Sequence, residues 1–373
     1  MTDALVVGGG VVGLSVAWRA AQRGLSVTVV DPDPGGGASY AAAGMLAPVA
    51  EAAFGEERLV ALNQASLALW PSFAAELEHA SGHEVGLRTA GTLVVGFDSD
   101  DVRELDRTLA FHQELGLDAT RLTPGACRAQ EPALTPRLRG GLRIPGDHSV
   151  EPRSLHAALL AAATALGVQV VRARAAELLV DGQRAVGVLL EDGAALRADQ
   201  VVLALGAWSG ALPGVPTGTV PVRPVKGQIL RLQGEPLLTG TVRALVRGRS
   251  VYLVPYGTDR IVVGATVEEQ GFDARVTAGA VHELLRDALE VVPGLDEHAV
   301  VETLARWRPG TPDNGPLLGA CGLPGLLLAT GHYRNGVLLA PLTGAALADV
   351  LAGGTAQGPA LDFSPARFVL EAS

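Results

Sequence analysis

The sequence predicts an α/β fold in which a parallel, dinucleotide-binding sheet is interleaved with a mostly antiparallel one. Three observations predict it. An apolar run, Ala4 to Val7, enters Gly8-Gly9-Gly10-Val11-Val12-Gly13, a helical stretch follows, and a second apolar run from Val27 ends on Asp31. Between 220 and 267, short segments of alternating polarity succeed one another. Towards the end of the chain an apolar strand, a glycine-bounded polar loop and a helix repeat the opening order, with no internal repeat or low-complexity linker to string domains in line.

Each residue type in the opening motif has a physical task. Gly8 permits the tight turn out of the strand, Gly10 lets backbone approach a pyrophosphate, and Gly13 lets the helix lie close on the sheet. Val11 and Val12 open that helix, whose N-terminal N–H groups and partial positive charge suit phosphate. Asp31 stands at the second strand end, where it can accept from a ribose hydroxyl. The fingerprint alone does not separate FAD from NAD(P).

Composition narrows the class. At 373 residues and 48% hydrophobic, the chain holds core for two medium domains. A formal charge of −10 excludes a nucleic-acid-binding face. Lys226 is the only lysine, and the arginine bias reads as a coding-composition effect. Cys127 and Cys321 have neither disulfide nor metal spacing and fit a reducing compartment. Without a signal peptide or an apolar run long enough to span a membrane, the expectation is a soluble cytoplasmic protein.

Taken in order, the first helix covers Ser15 to Arg23 and the second strand ends at Asp31. After a proline and glycine turn comes Ala38-Ser39-Tyr40-Ala41-Ala42-Ala43-Gly44-Met45, either an alanine-rich helix turn or small-residue backbone laid against a flat ring. A helix runs from Glu57 to about Ala80, with Leu59, Leu62, Ser66, Leu69, Phe73 and Leu77 on its packed face and Trp70 in the core. Thr92 to Val95 is a strand and Asp101 to Leu115 a helix; Pro124 to Asp147 reads as loops and short strands. Arg153 to Leu166 is a helix, followed by strands at Val168 to Val171 and Val186 to Leu190, and by a buried strand, Val201 to Leu205, that leaves through Gly206 towards Trp208. The antiparallel sheet is expected from Val220 to Val225, Gln228 to Leu232, Arg243 to Arg247, Val251 to Pro255 and Ile261 to Thr266. Helices at Val276 to Val292 and Val337 to Leu351 flank a final strand, Gly325 to Ala329.

Two further stretches can carry chemistry. The loop Gly331-His332-Tyr333-Arg334-Asn335-Gly336, with Val337 opening the last helix, aims a helix N-terminus at the far end of the molecule that Asp31 holds. His332 in it reads as a hydrogen-bonded loop residue. In Arg306-Trp307-Arg308-Pro309-Gly310-Thr311-Pro312-Asp313, a guanidinium held by the Pro-Gly turn can grip a carboxylate in a bidentate manner, against the base-rate reading as surface arginine.

Together the opening motif, Ala41-Ala42-Ala43-Gly44-Met45-Leu46, Arg308-Pro309-Gly310-Thr311-Pro312-Asp313 and Gly331-His332-Tyr333-Arg334-Asn335-Gly336-Val337-Leu338-Leu339-Ala340-Pro341 resemble the glycine oxidases of the thiamine pathway, within the D-amino acid oxidase family of flavoproteins. The resemblance implies non-covalent FAD in a Rossmann-type domain (1–82, 146–216 and 307–373) and a substrate domain (83–145 and 217–306). It implies FAD contacts from Gly8, Gly10, Val11, Val12, Gly13, Asp31, Ser39, Ala42, Ala43, Gly44, Met45, Gly206, Trp208, Gly331, Tyr333, Arg334, Asn335, Gly336 and Val337. It gives Arg308 and Tyr252 the substrate carboxylate and places Arg334 near flavin and substrate. The implied reaction is oxidative deamination of glycine to an imine that feeds thiazole synthesis or hydrolyses to glyoxylate and ammonia, with O2 reduced to H2O2 and no side-chain base at carbon. A homo-oligomer is also implied, without a metal. Val267 and Ser250 stand where glycine oxidases can carry methionine and histidine, which opens a broader D-amino acid or sarcosine oxidase or dehydrogenase. The cysteine of covalent sarcosine-oxidase-like relatives has no counterpart before Thr311-Pro312-Asp313, and neither does their strand lysine. From another class, a non-catalytic dinucleotide-binding or redox-sensing module is the remaining alternative.

Overall fold

The computed structural model describes residues 2–368, so Met1 and 369–373, which the expected domain division includes, lie outside the described residues. The parallel sheet runs in the order Leu317–Ala320, Leu326–Thr330, Ala195–Leu203, Thr2–Val7, Val27–Val30, Gln169–Val171. All neighbours in it are parallel except the edge strand Leu317–Ala320. A hairpin, Ala175–Asp181 and Arg184–Leu190, adds antiparallel strands to the start of Ala195–Leu203. The helices Val11–Gln22, Pro152–Ala165 and Ala340–Leu351 bury their apolar faces with the central strands in one core. The strands Val27–Val30 and Leu326–Thr330, and the C-terminal ends of Thr2–Val7 and Ala195–Leu203, are near-continuous apolar runs because helices and loops leave them no wet face.

The helix Glu57–Ser81 packs into the same core through Leu59, Leu62, Phe73 and Leu77. Leu69, expected inward, is 39% exposed; Trp70 takes the buried position, because helical spacing from Ser66 places residue 70 one turn on. Trp70 Nε1 and Ser66 Oγ both donate to the Leu338 carbonyl, at 2.9 and 2.7 Å, and so fasten the approach to the last helix.

The second sheet has eight strands in the order Ala299–Gly310, Arg223–Gln233, Arg260–Gly264, Arg249–Tyr256, Thr241–Val246, Thr92–Gly96, Gly140–Ile144, Thr120–Leu122. Only Thr241–Val246 and Thr92–Gly96 pair in parallel. Helix Ala278–Val291 covers one face through Leu284, Ala288 and Val291.

Three elements differ from expectation for identifiable reasons. The strands expected at 220–225 and 228–232 are one strand, because Lys226 and Gly227, which break the apolar pattern, are both buried within it. Arg308 lies on a twelve-residue strand, Ala299–Gly310, not in a turn: Val225 is its partner across the sheet and Pro309 sits at the strand's end, where a missing N–H is tolerated. Pro124–Gln130 is a helix, capped by Thr123 Oγ1 accepting from Ala126 N with proline in the first turn.

Candidate active site

The carboxyl ends of the parallel strands open onto a cavity of about 630 Å³ whose other wall is the antiparallel sheet. At the opening motif the glycines are fixed by close approach. A Cβ on Gly13 would stand 1.9 Å from the Gly8 carbonyl oxygen, and one on Gly8, whose φ is +116°, would stand 2.3 Å from the Ala204 oxygen. Gly10 caps the helix Val11–Gln22 with no side chain to satisfy its first-turn N–H groups, although Ser39 Oγ accepts from Val11 N at 3.1 Å. Asp31 is held in place from two sides, accepting from Gly9 N at 2.6 Å and from Asp33 N at 2.8 Å.

Of the residues the sequence marked, Gly8, Gly10, Val11, Val12, Asp31 and Ser39 line this end of the cavity. Ala42, Ala43, Gly44, Met45, Gly206 and Trp208 line its middle, and Tyr252, Arg308, Tyr333, Arg334, Gly336 and Val337 its far end. The Ala38–Ala41 stretch is one short helical turn, after which the chain extends. Three marked residues do not reach the cavity. Gly13 serves the helix contact, and Gly331, at φ +74°, leaves room for Thr311 Cγ2, which a Cβ would meet at 2.6 Å. Asn335 is buried and starts the final helical turn, its carbonyl accepting from Leu339 N at 2.8 Å. The regular helix begins at Ala340, but that preceding turn leaves Gly336 and Val337 on the cavity at its N-terminal end.

At the far end, Arg308 Nη1 donates to the Thr266 carbonyl at 3.1 Å and lies 3.5 Å from that of Lys226. Among the described residues no carboxylate pairs with Arg306, Arg308 or Arg334. Burial pushes the Tyr252 phenol up, and the neighbouring Arg308 opposes it, so the group stays neutral. Two glycines make room for this pair: a Cβ on Gly227 would lie 2.4 Å from Arg308 Nη1, and one on Gly264 2.3 Å from Tyr252 Oη. Burial works against the Arg334 cation, but Tyr333 and Glu51 more than offset it and hold its pKa raised. His332 hydrogen-bonds Thr343 Oγ1 at 3.0 Å, and burial pushes its imidazole down to about 3, which keeps it neutral.

Sequence reasoning missed an acid in the cavity. Glu51 Oε1 accepts from Arg243 Nη1 at 2.5 Å, and both residues line the wall beside Met45. Nothing local marks either one: Glu51 follows an alanine-rich loop, and Arg243 sits where strand alternation reads as a wet face. Asp147, also missed, is fully buried and accepts from Val49 N and Ala50 N at 3.1 and 2.9 Å, supporting the turn that carries Glu51. Burial pushes its carboxyl up to about 7. Among the described residues no group of His, Cys, Asp and Glu could hold a metal ion, and no helix is long and apolar enough to cross a membrane.

A glycine cradle, an uncapped helix N-terminus and a carboxylate at the next strand end fit the adenosine diphosphate half of a flavin dinucleotide. The unpaired arginines at the other end of the same cavity fit an anionic substrate. This is the arrangement of a flavin-dependent oxidoreductase, and the chain belongs to that class: it is a member of the DAO family, FAD dependent oxidoreductase, whose family model matches residues 3–350. FAD is its cofactor, and that membership sets aside the non-catalytic module.

Particular relatives narrow the comparison. The chain is 37% identical over 351 residues to the bifunctional protein ThiO/ThiG of Nostoc sp., covering 94% of this chain and 52% of the relative. It is 36% identical over 354 residues to the glycine oxidase of Geobacillus kaustophilus, covering 94% and 92%. The crystal structure of glycine oxidase from Geobacillus kaustophilus superposes with a TM-score of 0.89 at 34% identity, covering 97% of this chain and 98% of that one. The chain thus spans about half the length of the ThiO/ThiG relatives and nearly all of the glycine oxidase.

Proposed function

We propose that this chain oxidises glycine to the imine with reduction of O2 to H2O2, the imine supplying a thiazole-forming step of thiamine biosynthesis or hydrolysing to glyoxylate and ammonia. One observation carries the reading: in a cavity whose other end is a dinucleotide cradle, the Arg308 guanidinium has no acid partner among the described residues and stands beside the buried phenol of Tyr252. Relatives named glycine oxidase and ThiO/ThiG support it.

The residues divide the work. Arg308 binds the substrate carboxylate in a bidentate manner, with Tyr252 as a neutral donor, which fixes the orientation of Cα. Arg334 adds positive charge at the same end. Met45, Val267 and Ser250 bound the space around the amine and Cα. FAD, which would be held without a covalent bond, would supply the acceptor for the hydride (two electrons and one proton) that leaves Cα. Glu51 is paired with Arg243, so among the described residues no unpaired carboxylate lines the substrate end of the cavity, and positioning supplies the rate. We further propose that 1–82, 146–216 and 307–373 form the FAD-binding unit and 83–145 with 217–306 the substrate unit; sheet membership supports this except at Trp307 to Gly310, which belong to the edge strand of the substrate sheet. A cytoplasmic homo-oligomer belongs to the same reading.

A broader preference is the second reading, favoured by Val267, which lines the cavity yet is 54% exposed, beside the small Ser250. Peroxide release with glycine, sarcosine, D-alanine and D-proline separates the two. The first reading predicts the highest kcat/KM on glycine with ammonia released in equal amount; a preference for D-alanine or D-proline selects the second.

A further inference from the structure

Lys226, the chain's single lysine, is fully buried in the strand Arg223–Gln233 and does not reach the cavity. Its ammonium lies 3.0 Å from Asp273 Oδ2 and 3.7 Å from Glu268 Oε2. Both carboxylates belong to one irregular segment, 265–277, that joins the strand Arg260–Gly264 to the helix Ala278–Val291. Backbone bonds repeat the attachment: Lys226 N donates to Glu268 O and Glu268 N to Lys226 O, each at 2.9 Å. Gln228, two residues along, donates to Glu268 Oε1 at 2.8 Å and accepts from Thr277 N at 2.8 Å.

That segment forms part of the substrate end. Its Thr266 carbonyl receives Arg308 Nη1, and its Val267 lines the wall. Its Phe272 stacks on Trp208 with ring centroids 5.3 Å apart and meets Trp307 edge-on at 5.6 Å, and both tryptophans also line the cavity. A buried ammonium reaching two side chains five residues apart restrains the segment along its length, which one hydrogen bond does not do. Burying a charge is unfavourable unless it is paired, so a lysine kept here needs both carboxylates in place.

We propose that Lys226 is a positioning residue for the substrate carboxylate: its ion pairs with Glu268 and Asp273 hold 265–277 so that the Thr266 carbonyl orients the Arg308 guanidinium. The inference rests on Arg308 as the carboxylate anchor. Its removal loosens carboxylate binding and leaves the distant dinucleotide cradle unchanged.

Acetate titrated into the FAD-loaded enzyme, followed by flavin absorbance, is the test. In Lys226→Met, which keeps the volume and leaves two partly exposed carboxylates, the acetate Kd rises by about tenfold or more while FAD affinity stays within about twofold. Asp273→Asn acts in the same direction by a smaller factor, about threefold. Because that side chain is partly exposed, it carries the test if Lys226→Met does not fold. Hydrogen exchange shows lost protection at the amide of Glu268 in both, and the glycine KM rises with kcat within about twofold. Acetate affinity within about twofold of wild type in the folded variants overturns the proposal, whatever happens to Tm, and so does a matching loss of FAD affinity. A wild-type enzyme that binds acetate in a Lys226-dependent way but leaves glycine unoxidised keeps the positioning role and removes the glycine reading.

Discussion

Tyr252 and Gly264 are partners across adjacent strands, and the phenol lies over the glycine so closely that a Cβ there would stand 2.3 Å from its oxygen. Gly227, whose cross-strand partner is Arg306, leaves room for Arg308 in the same way: a Cβ there would stand 2.4 Å from Nη1. Two sheet glycines therefore hold open the space in which the Arg308 guanidinium and the Tyr252 phenol sit. Neither has a positive φ, so room for a neighbour, not backbone conformation, is the reason for glycine.

Replacing either glycine displaces an anchor of the proposed substrate. In Gly227→Ala the displaced atoms are the end of the flexible Arg308 side chain, which can move at modest cost to stability, whereas in Gly264→Ala the methyl meets the Tyr252 ring itself, at 2.3 Å from Oη and 2.4 Å from Cζ. The expected outcome is a glycine KM raised by about tenfold or more in both, with a Tm within a few degrees of wild type in Gly227→Ala. A KM unchanged in both variants would place the carboxylate elsewhere.

Loss of the arginine itself is more severe. In Arg308→Ala the substrate carboxylate faces a buried, neutral phenol without its charge partner, which costs about 1–3 kcal/mol or more. Acetate titration of Arg308→Ala should show affinity reduced by at least about tenfold. Arg308→Lys recovers little of it, since a point charge does not reproduce the two-point fork.

At the other end of the cavity, Gly13→Ala drives a methyl into the Gly8 carbonyl at 1.9 Å and pushes the first helix off the sheet. The purified variant should be colourless, with its flavin lost on gel filtration. Asp31→Ala keeps the helix but orphans Gly9 N, so it should retain the fold and bind FAD more weakly. Flavin content measured against protein distinguishes the two.

Two buried groups give opposite pH dependences. His332 has its folded pKa near 3 against an ordinary 6.5, so the unfolded chain binds more protons between those values and stability falls as pH drops through that window. Asp147 has its folded value near 7 against 3.8, so the folded chain binds more protons and stability falls as pH rises from about 4 to 7. Relative to wild type, His332→Gln should therefore gain Tm as pH falls from 6.5 to 5, and Asp147→Asn should lose it. Each slope is bounded by about 1.4 kcal/mol per pH unit. Thermal scans at both pH values check the signs.

The dinucleotide half was legible in the sequence because its signals are local: Gly8, Gly10 and Gly13 lie in six residues, and Asp31 ends the next apolar run. The substrate half was legible mainly through resemblance. Arg308 was marked, but its strand was not, because Arg306, Trp307 and Pro309 obscure the two-residue alternation of an edge strand. Glu51 and Arg243 are 192 residues apart and meet only in the fold. Lys226 read as a compositional accident because its partners, Glu268 and Asp273, lie on a segment with no regular period. Charges that pair across long sequence distances leave no local pattern, whereas backbone constraints do.

The central claim is that glycine delivers its Cα electrons to the bound flavin while Arg308 holds its carboxylate. Mixing the yellow, FAD-loaded enzyme with glycine under anaerobic conditions near neutral pH tests it most directly. The flavin absorbance should bleach completely in wild type and, in Arg308→Ala, only at glycine concentrations about tenfold or more higher. A flavin that stays oxidised with glycine at every pH near neutral would contradict the account.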